Sequence, residues 1–223
     1  MAGTEDSRLD TRQRVLECAV AVFAEKGFRD ATIHEICDKA EANIAAVNYY
    51  FGSKEKLYAE AWRKALEETM AVHPLSGGVP KDAPAVERLR GGIRALIGAF
   101  ADEESKAFDI AHKEAANPTA LLFDVARECI RPFQSAAHDV LHELLGPCST
   151  AQDILFCGTS IMSQCVEVVK QTRMRRFFEK MDDKDWFIRD LDAYADHVVR
   201  FSLAGIRDMR ERAEAGREET ERT

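Results

Sequence analysis

Almost every segment of this chain repeats its apolar residues with the period of an α-helix. Between residues 11 and 26, for example, Val15, Leu16, Ala19, Val22 and Phe23 share one face. No run alternates β-branched and polar residues as a half-buried strand would, and no Asn-Gly hairpin turn occurs. The sequence therefore predicts an all-α fold.

Short breaks divide the first 72 residues into four predicted helices. Gly27 is a natural stop for the first helix, because glycine tolerates positive φ. Thr32 and Glu35 form a capping-box pattern, Asn43 is a favoured N-cap, and Gly52-Ser53 separates the last two helices. The helices are expected at about 11–26, 33–40, 44–51 and 54–70, a spacing that matches a helix-turn-helix.

A linker follows at 73–84, which holds three of the six prolines. It predicts a domain boundary that separates residues 1–72 from residues 73–223. Beyond it, helices are expected at about 85–101, 105–115, 119–145, 151–172 and 186–210, and Pro132 should kink or divide the third of these. The polar ends, 1–10 and 210–223, are expected to be loose.

The third predicted helix carries an unusual set of side chains. Ala45 and Ala46 are small enough for close approach to a DNA groove, and Asn48 can pair with adenine in two hydrogen bonds. Tyr49 and Tyr50 offer hydroxyls for phosphates. The alternative is that such residues only pack a small helical bundle, and Val47 and Phe51 are expected to do so.

Lys54 stands in the first turn of the fourth predicted helix, where the macrodipole disfavours a cation. An anion docking at that helix terminus would explain the lysine, since helix N-termini and lysine together bind phosphate. Thr32, which caps the second helix, could contact phosphate on the other side of the groove.

These residues resemble the TetR family of bacterial transcriptional regulators. The resemblance lies in VLECAVAVFAEKGFRDATIHEICDKA and AVNYYFGSKEKLY. It implies an all-α homodimer whose N-terminal domain reads a palindromic operator and whose C-terminal domain dimerises and binds a small-molecule inducer. The implied DNA contacts are Thr32, Asn43, Ala45, Ala46, Asn48, Tyr49, Tyr50 and Lys54.

Two departures from that family bear on DNA reading. The turn commonly reads Gly-Val-Ser, whereas here Glu41, Ala42 and Asn43 follow one another, which puts an acid near the groove. Asn48 stands where many members have Tyr, which suggests a different base preference.

Charge does not favour general nucleic-acid affinity. The chain has a formal net charge of −8, and residues 1–72 hold 10 basic and 13 acidic side chains. DNA binding must then depend on local cations such as Arg12, Arg29, Lys54 and Lys56, so we expect modest non-specific affinity and a shallow salt dependence.

The second domain offers two sets of candidate residues, for each of which plain core packing is the alternative. A dimer interface is predicted at Ile154, Gly158, Ile161, Cys165, Leu191, Tyr194, Val198 and Phe201. A ligand pocket is predicted at Phe100, Phe108, His112, Leu122, Phe123, Cys129, Phe133, Met162 and Gln164. The stretch NPTALLFDVARECIRPFQSAAHDVLHELLG resembles the C-terminal domain of CecR-like TetR regulators, which implies sensing of a small molecule, linked to drug sensitivity or efflux.

Other function classes find little support. The sequence holds no GxSxG, HExxH or glycine-rich phosphate or dinucleotide loop, so an enzyme is not predicted, nor a cofactor. The six cysteines form no CxxC pair, and no secretory signal or membrane span is seen, which predicts a cytoplasmic protein with reduced thiols. His138 and His142 have metal-ligand spacing, but a solvated helix face explains them better. A helical protein–protein adaptor without DNA binding is the remaining alternative.

Overall fold

The computed structural model describes residues 2–178 and 187–221, and these residues form ten α-helices and no β-strand. The predicted all-α class is confirmed. The helices are α1 (Ala2–Asp30), α2 (Ile33–Lys39), α3 (Ile44–Tyr50), α4 (Lys54–Val72), α5 (Ala85–Ala101), α6 (Lys106–Ala116), α7 (Phe123–Cys129), α8 (Arg131–Leu145), α9 (Ala151–Phe178) and α10 (Leu191–Glu221). None of the described helices has both the length and the apolar character that crossing a membrane requires.

Local breaks fall where the sequence predicts them. Gly27 has φ 75° and interrupts the helical geometry of α1. Pro132 stands at the second position of α8, just after the break that separates α8 from α7. Proline is tolerated in a first turn because the N–H it lacks has no partner there.

The chain ends differ from the prediction that they are loose. Helix α1 begins at Ala2, and α10 continues to Glu221. The C-terminal segment is rich in Ala, Arg and Glu, which are strong helix formers. Ion pairs one turn apart support it, between Arg210 and Glu214 at 2.8 Å and between Asp208 and Arg212 at 2.9 Å. Trp186, where the last helix was expected to begin, lies outside the described residues.

The first compact unit consists of α1–α4 together with α6 and α7, from residues up to 71 and from 104–131. Helix α1 packs against α6, α2 and α3. Phe23 and Tyr58 are fully buried in its core, with ring centroids 4.8 Å apart. The indole N–H of Trp62 donates to the Ala107 carbonyl at 3.0 Å, which ties α4 to α6.

The second compact unit consists of residues 72–103 and 132–221, and its main helices are α5, α8, α9 and α10. Helix α5 packs against α9 and α10. The core of the second unit includes Ile93, Ile97, Leu145, Cys165 and Val198, all at most 2% exposed.

The two units differ from the predicted division, which placed a single boundary at residue 72. The first unit also contains residues 104–131, which lie beyond that boundary. Residues 104–131 belong to the first unit because Ile110, Leu122 and Val125 are buried in the same core as α1 and α4. That packing joins residues far apart in sequence, and a linker of prolines and glycines carries no information about it. The functional division into residues 1–72 and 73–223 stays a prediction.

Candidate nucleic-acid interface

Helix α3 is short and is capped by side chains that the sequence identifies. The Asn43 side chain accepts a hydrogen bond from the Ala46 N–H at 2.8 Å, as an N-cap does. At the other end, the N–H of Phe51 donates to the Val47 carbonyl at 2.9 Å. Because both ends of this seven-residue helix are capped, its backbone is held in place and its outward residues share one face.

The two faces of α3 differ sharply. Val47 and the following Phe51 are buried in the core of the first unit, as predicted. Asn48 and Ala45 are exposed, and the Tyr49 side chain is 73% exposed. The Asn48 amide forms no hydrogen bond with any residue that the structure describes. A free amide beside an exposed phenol is suited to hydrogen bonding with an outside partner.

Tyr50 and Ala46 occupy an intermediate position on α3. Both are half-buried, and Tyr50 packs against the core while its ring lies 5.0 Å from that of Tyr49 in an edge-on arrangement. Tyr50 therefore also orients Tyr49, a role that the sequence pattern does not specify.

Helix α4 begins close to this surface. Gly52 has φ 79°, and the Ser53 hydroxyl accepts from the Lys56 N–H at 3.3 Å. A side-chain hydrogen bond to Ser53 lowers the pKa of Glu55. The Lys54 ammonium lies over the Phe28 ring, 4.5 Å from its centroid, and this cation–π contact holds the charge at the start of α4.

Helix α2 lies beside α3 and begins with the predicted cap. The Thr32 hydroxyl accepts from the Glu35 N–H at 3.1 Å. Glu35 does not complete a reciprocal box; its carboxylate pairs instead with Lys26 at 2.7 Å, and this bond raises the pKa of Lys26.

Most of the basic side chains near these helices have acidic partners. Arg12 pairs with Glu60 and lies over the Phe51 ring, 5.1 Å from its centroid. Lys39 lies 3.7 Å from Glu25. A phosphate would have to compete with these carboxylates, which agrees with the modest non-specific affinity expected from net charge.

The predicted ligand-pocket residues are divided between the two units. Phe108, His112, Leu122, Phe123 and Cys129 belong to the first unit, and Phe100, Phe133, Met162 and Gln164 belong to the second. Their environments also differ, since Leu122 is buried whereas Phe123 is 67% exposed.

A recess of about 560 Å³ lies in the second unit between α5 and the start of α10. None of the predicted pocket residues contributes to it. The lining is a mixture of charged and apolar side chains: Arg94, Ile97, Gly98, Arg189, Asp190, Leu191, Asp192 and Ala195. Two of the charged side chains already have partners within the unit. Arg94 pairs with Asp196 at 2.9 Å, and Asp190 caps α10.

The residues predicted for a dimer interface face two directions. Ile154, Ile161, Cys165 and Val198 are buried in the core of the second unit, so their side chains are not available to a partner. Gly158 and Tyr194 are half-buried, whereas Leu191 and Phe201 are exposed. The chosen stripe on α9 is therefore the inner face of the helix, and this part of the prediction is corrected.

The outer face of α9 begins one residue after the predicted stripe, at Leu155 and not at Ile154. Leu155 and Phe156 are 64% and 56% exposed, and Met162 and Val166 follow on the same side. On α10, the rings of Tyr194, His197 and Phe201 stack in a row. The sequence does show apolar residues on both faces of α9. Periodicity alone does not say which of the two faces points inward.

The two histidines with metal-ligand spacing lie on the surface of α8. His138 and His142 are exposed, and His138 lies 3.8 Å from Asp139. Among the described residues, no group of three His, Cys, Asp or Glu side chains could hold a metal ion.

Similar proteins place this geometry in context. The profile for bacterial regulatory proteins of the tetR family matches residues 15–61, and that for the C-terminal domain of the HTH-type transcriptional dual regulator CecR matches residues 85–206. The transcriptional repressor NicS of Pseudomonas putida is 46% identical over 48 residues, which is 22% of this chain and 23% of NicS. CecR of Shigella flexneri is 30% identical over 136 residues, which is 56% of this chain and 60% of CecR.

The chain thus spans between a quarter and three-fifths of the length of these curated relatives. Among solved structures, FadR of Bacillus subtilis in complex with stearoyl-CoA is similar with a TM-score of 0.61 and 16% identity, covering 86% of this chain and 98% of FadR. Similarity at that identity shows a shared fold. The CecR profile covers more than half of the chain, and both profiles agree with the resemblance seen in the sequence. The chain belongs to the tetR family of bacterial regulatory proteins, which are transcriptional regulators and not enzymes, and it carries a CecR-type C-terminal domain.

Proposed function

We propose that this protein is a homodimeric, cytoplasmic transcriptional repressor that binds a palindromic operator through α3 and leaves it when a small-molecule inducer binds. The observation that carries the proposal is the outward face of α3. Asn48 is exposed and its amide forms no hydrogen bond with any described residue, Tyr49 is 73% exposed, and the opposite face is anchored by buried Val47.

In the proposed complex, α3 enters the major groove. Ala45 and Ala46 allow close approach, and the Asn48 amide offers a donor and an acceptor to an adenine edge. Tyr49 and Tyr50 contact the sugar-phosphate backbone, and the Asn43 cap lies at the groove edge.

Two further groups fix the position of α3 on the duplex. Lys54 is held at the start of α4 by Phe28, where its ammonium is placed to contact a phosphate. Thr32, at the start of α2, is the proposed contact on the opposite side of the groove. Such phosphate contacts position a protein but do not read sequence.

A palindromic operator calls for a two-fold dimer. The apolar outer face of α9, formed by Leu155, Phe156, Met162 and Val166, together with Phe201 on α10, is the proposed interface. Several large apolar side chains exposed on two helices of one unit are a typical mark of a protein–protein interface. Pairing these faces across a two-fold axis would form a four-helix bundle.

The proposed inducer acts by changing the separation of the two α3 helices. Half-sites in successive major grooves lie roughly 34–36 Å apart, so a change of a few ångströms prevents simultaneous docking. The inducer must bind the two arrangements with unequal affinity, since otherwise it shifts nothing. FadR of Bacillus subtilis has stearoyl-CoA bound in its structure, so this compound belongs in the first panel of candidate ligands.

The experiment compares Asn48→Ala and Tyr49→Ala with the parent protein by fluorescence anisotropy on a selected genomic fragment. Loss of the Asn48 contact should weaken operator binding by roughly 5- to 150-fold, and both variants should keep the parent melting temperature. Asp139→Ala, which removes an exposed side chain of α8, is the control and should bind as the parent does. If no DNA is bound by the parent protein, the helical adaptor becomes the better account.

A further inference from the structure

The turn between α2 and α3 has a backbone geometry that favours glycine, and Glu41 occupies it. Glu41 has φ 50°, in the left-handed region. The N–H of Ala42 donates to the Cys37 carbonyl at 3.0 Å, and that of Glu41 to the Asp38 carbonyl at 3.3 Å. These two bonds are the pattern of a Schellman motif, whose left-handed residue is usually Gly because a β-carbon is strained there.

The Glu41 side chain makes no stabilising contact with the described residues that would offset this strain. It is exposed, and its carboxylate forms no hydrogen bond or ion pair with any residue that the structure describes. The nearest basic residue in sequence, Lys39, is directed to Glu25 at 3.7 Å. Strained positions of this kind are often found at functional sites, so the carboxylate is a candidate for a role outside the folded chain.

Glu41 is also close to the proposed DNA contacts. It stands two residues before Asn43, whose side chain caps α3. The Cα atoms of the two residues are therefore at most about 7 Å apart. This distance is shorter than the Debye length of about 8 Å at physiological salt. A phosphate bound at the start of α3 would therefore lie near the turn that carries the Glu41 charge.

We propose that the Glu41 carboxylate is a specificity-determining residue, which weakens binding to non-operator DNA more than binding to the operator. This inference rests on the proposed function of α3. Non-specific complexes depend almost entirely on phosphate contacts, so a fixed negative charge at the turn acts against their whole source of affinity. In the operator complex, base contacts hold α3 in one register in the groove, and a carboxylate there can accept a hydrogen bond from a cytosine amino group.

Three variants separate charge from backbone strain. Glu41→Gln removes the charge and keeps the β-carbon, whereas Glu41→Gly removes both. Glu211→Gln, at an exposed position of α10, makes the same change in net charge and serves as the control. Each is titrated by fluorescence anisotropy against the selected operator and against a random duplex of equal length, at two salt concentrations.

The ratio of operator affinity to random-duplex affinity should fall about three- to fivefold in both Glu41 variants, through tighter binding of the random duplex. Only Glu41→Gly should raise Tm, by about 2–4 °C. The control should keep the parent ratio.

Two results would overturn the inference while leaving the proposed function intact: an unchanged ratio in Glu41→Gln, or a ratio that falls only through weaker operator binding. Failure of the parent protein to prefer any operator would overturn both proposals together.

Discussion

The Tyr58 hydroxyl donates a hydrogen bond to Oε2 of Glu114 at 3.2 Å, and this contact joins α4 to α6 within the first unit. The same carboxylate accepts bonds from the N–H and the hydroxyl of Thr119, both at 2.8 Å. Thr119 precedes Ala120, which has φ 64°. One carboxylate therefore anchors both helix α4 and the turn that leads to α7.

Tyr58→Phe should lower the free energy of unfolding by about 1 kcal/mol, because a partly buried carboxylate loses one donor while the ring packing against Phe23 is kept. Urea unfolding followed by circular dichroism measures this change. Tyr49→Phe, which removes an exposed hydroxyl, should leave the urea midpoint unchanged. Equal stability of the parent and Tyr58→Phe would show that the bond contributes nothing.

Local signals in the sequence predicted the helices and their caps well. Thr32, Asn43, Gly27 and Pro132 act within one or two turns of chain, so their roles can be read without knowing the fold. Residues 104–131 belong to the first unit because of contacts between residues far apart in sequence, and such contacts could not be predicted from local signals.

The candidate site was predicted unevenly for a related reason. Val47 and Phe51 divide α3 into an inner and an outer face, so the exposure of Asn48 and Tyr49 followed from periodicity. Helix α9 carries apolar residues on both its inner and its outer face, and the two stripes differ by one residue. Only the packing of Ile154 against the core shows which stripe is inside.

Glu60→Gln should strengthen DNA binding. Arg12 now pairs with the Glu60 carboxylate, and removing that charge frees the guanidinium for a phosphate. The plot of log affinity against log salt concentration should steepen by about 1. Both side chains are about two-fifths exposed, so little stability should be lost.

Glu128→Gln is the matched control, because it frees Arg63, further along α4, in the same way. It should leave the salt dependence as in the parent. An unchanged slope in Glu60→Gln would mean that Arg12 does not reach DNA.

Leu155→Glu should convert the proposed dimer to a folded monomer, because it places a charge on the outer face of α9, where the side chain is 64% exposed. Ile154→Glu, one residue earlier at 5% exposure, should instead abolish cooperative unfolding, since it buries an unpaired charge. Sedimentation equilibrium and thermal melts distinguish these outcomes. A Leu155→Glu protein that stays dimeric at micromolar concentration would contradict the proposed interface.

Stability should fall at alkaline pH because buried acids resist ionisation. Burial raises the pKa of the Cys165 thiol to about 12, and burial also raises the pKa of Tyr58. A raised folded-state pKa means that the unfolded chain releases its proton first, so the contribution is complete below about pH 8.5 and is lost as pH rises towards 12.

Cys165→Ala should therefore show a shallower decline in the free energy of unfolding between pH 8.5 and 10.5 than the parent. Urea titrations at several pH values measure it, with Cys148→Ala as the control at a less buried cysteine. Parallel declines in the parent and Cys165→Ala would show that this thiol is not responsible.

The most direct test of the account is selection of genomic DNA fragments by the purified protein, followed by the stoichiometry of the complex on the best fragment. The account predicts a palindromic site that binds two protomers and loses affinity in Asn48→Ala. Because a co-purified inducer could hold the protein off DNA, the selection is repeated after unfolding and refolding to remove any ligand. No enrichment over random DNA from the refolded protein would contradict the claim that α3 reads an operator.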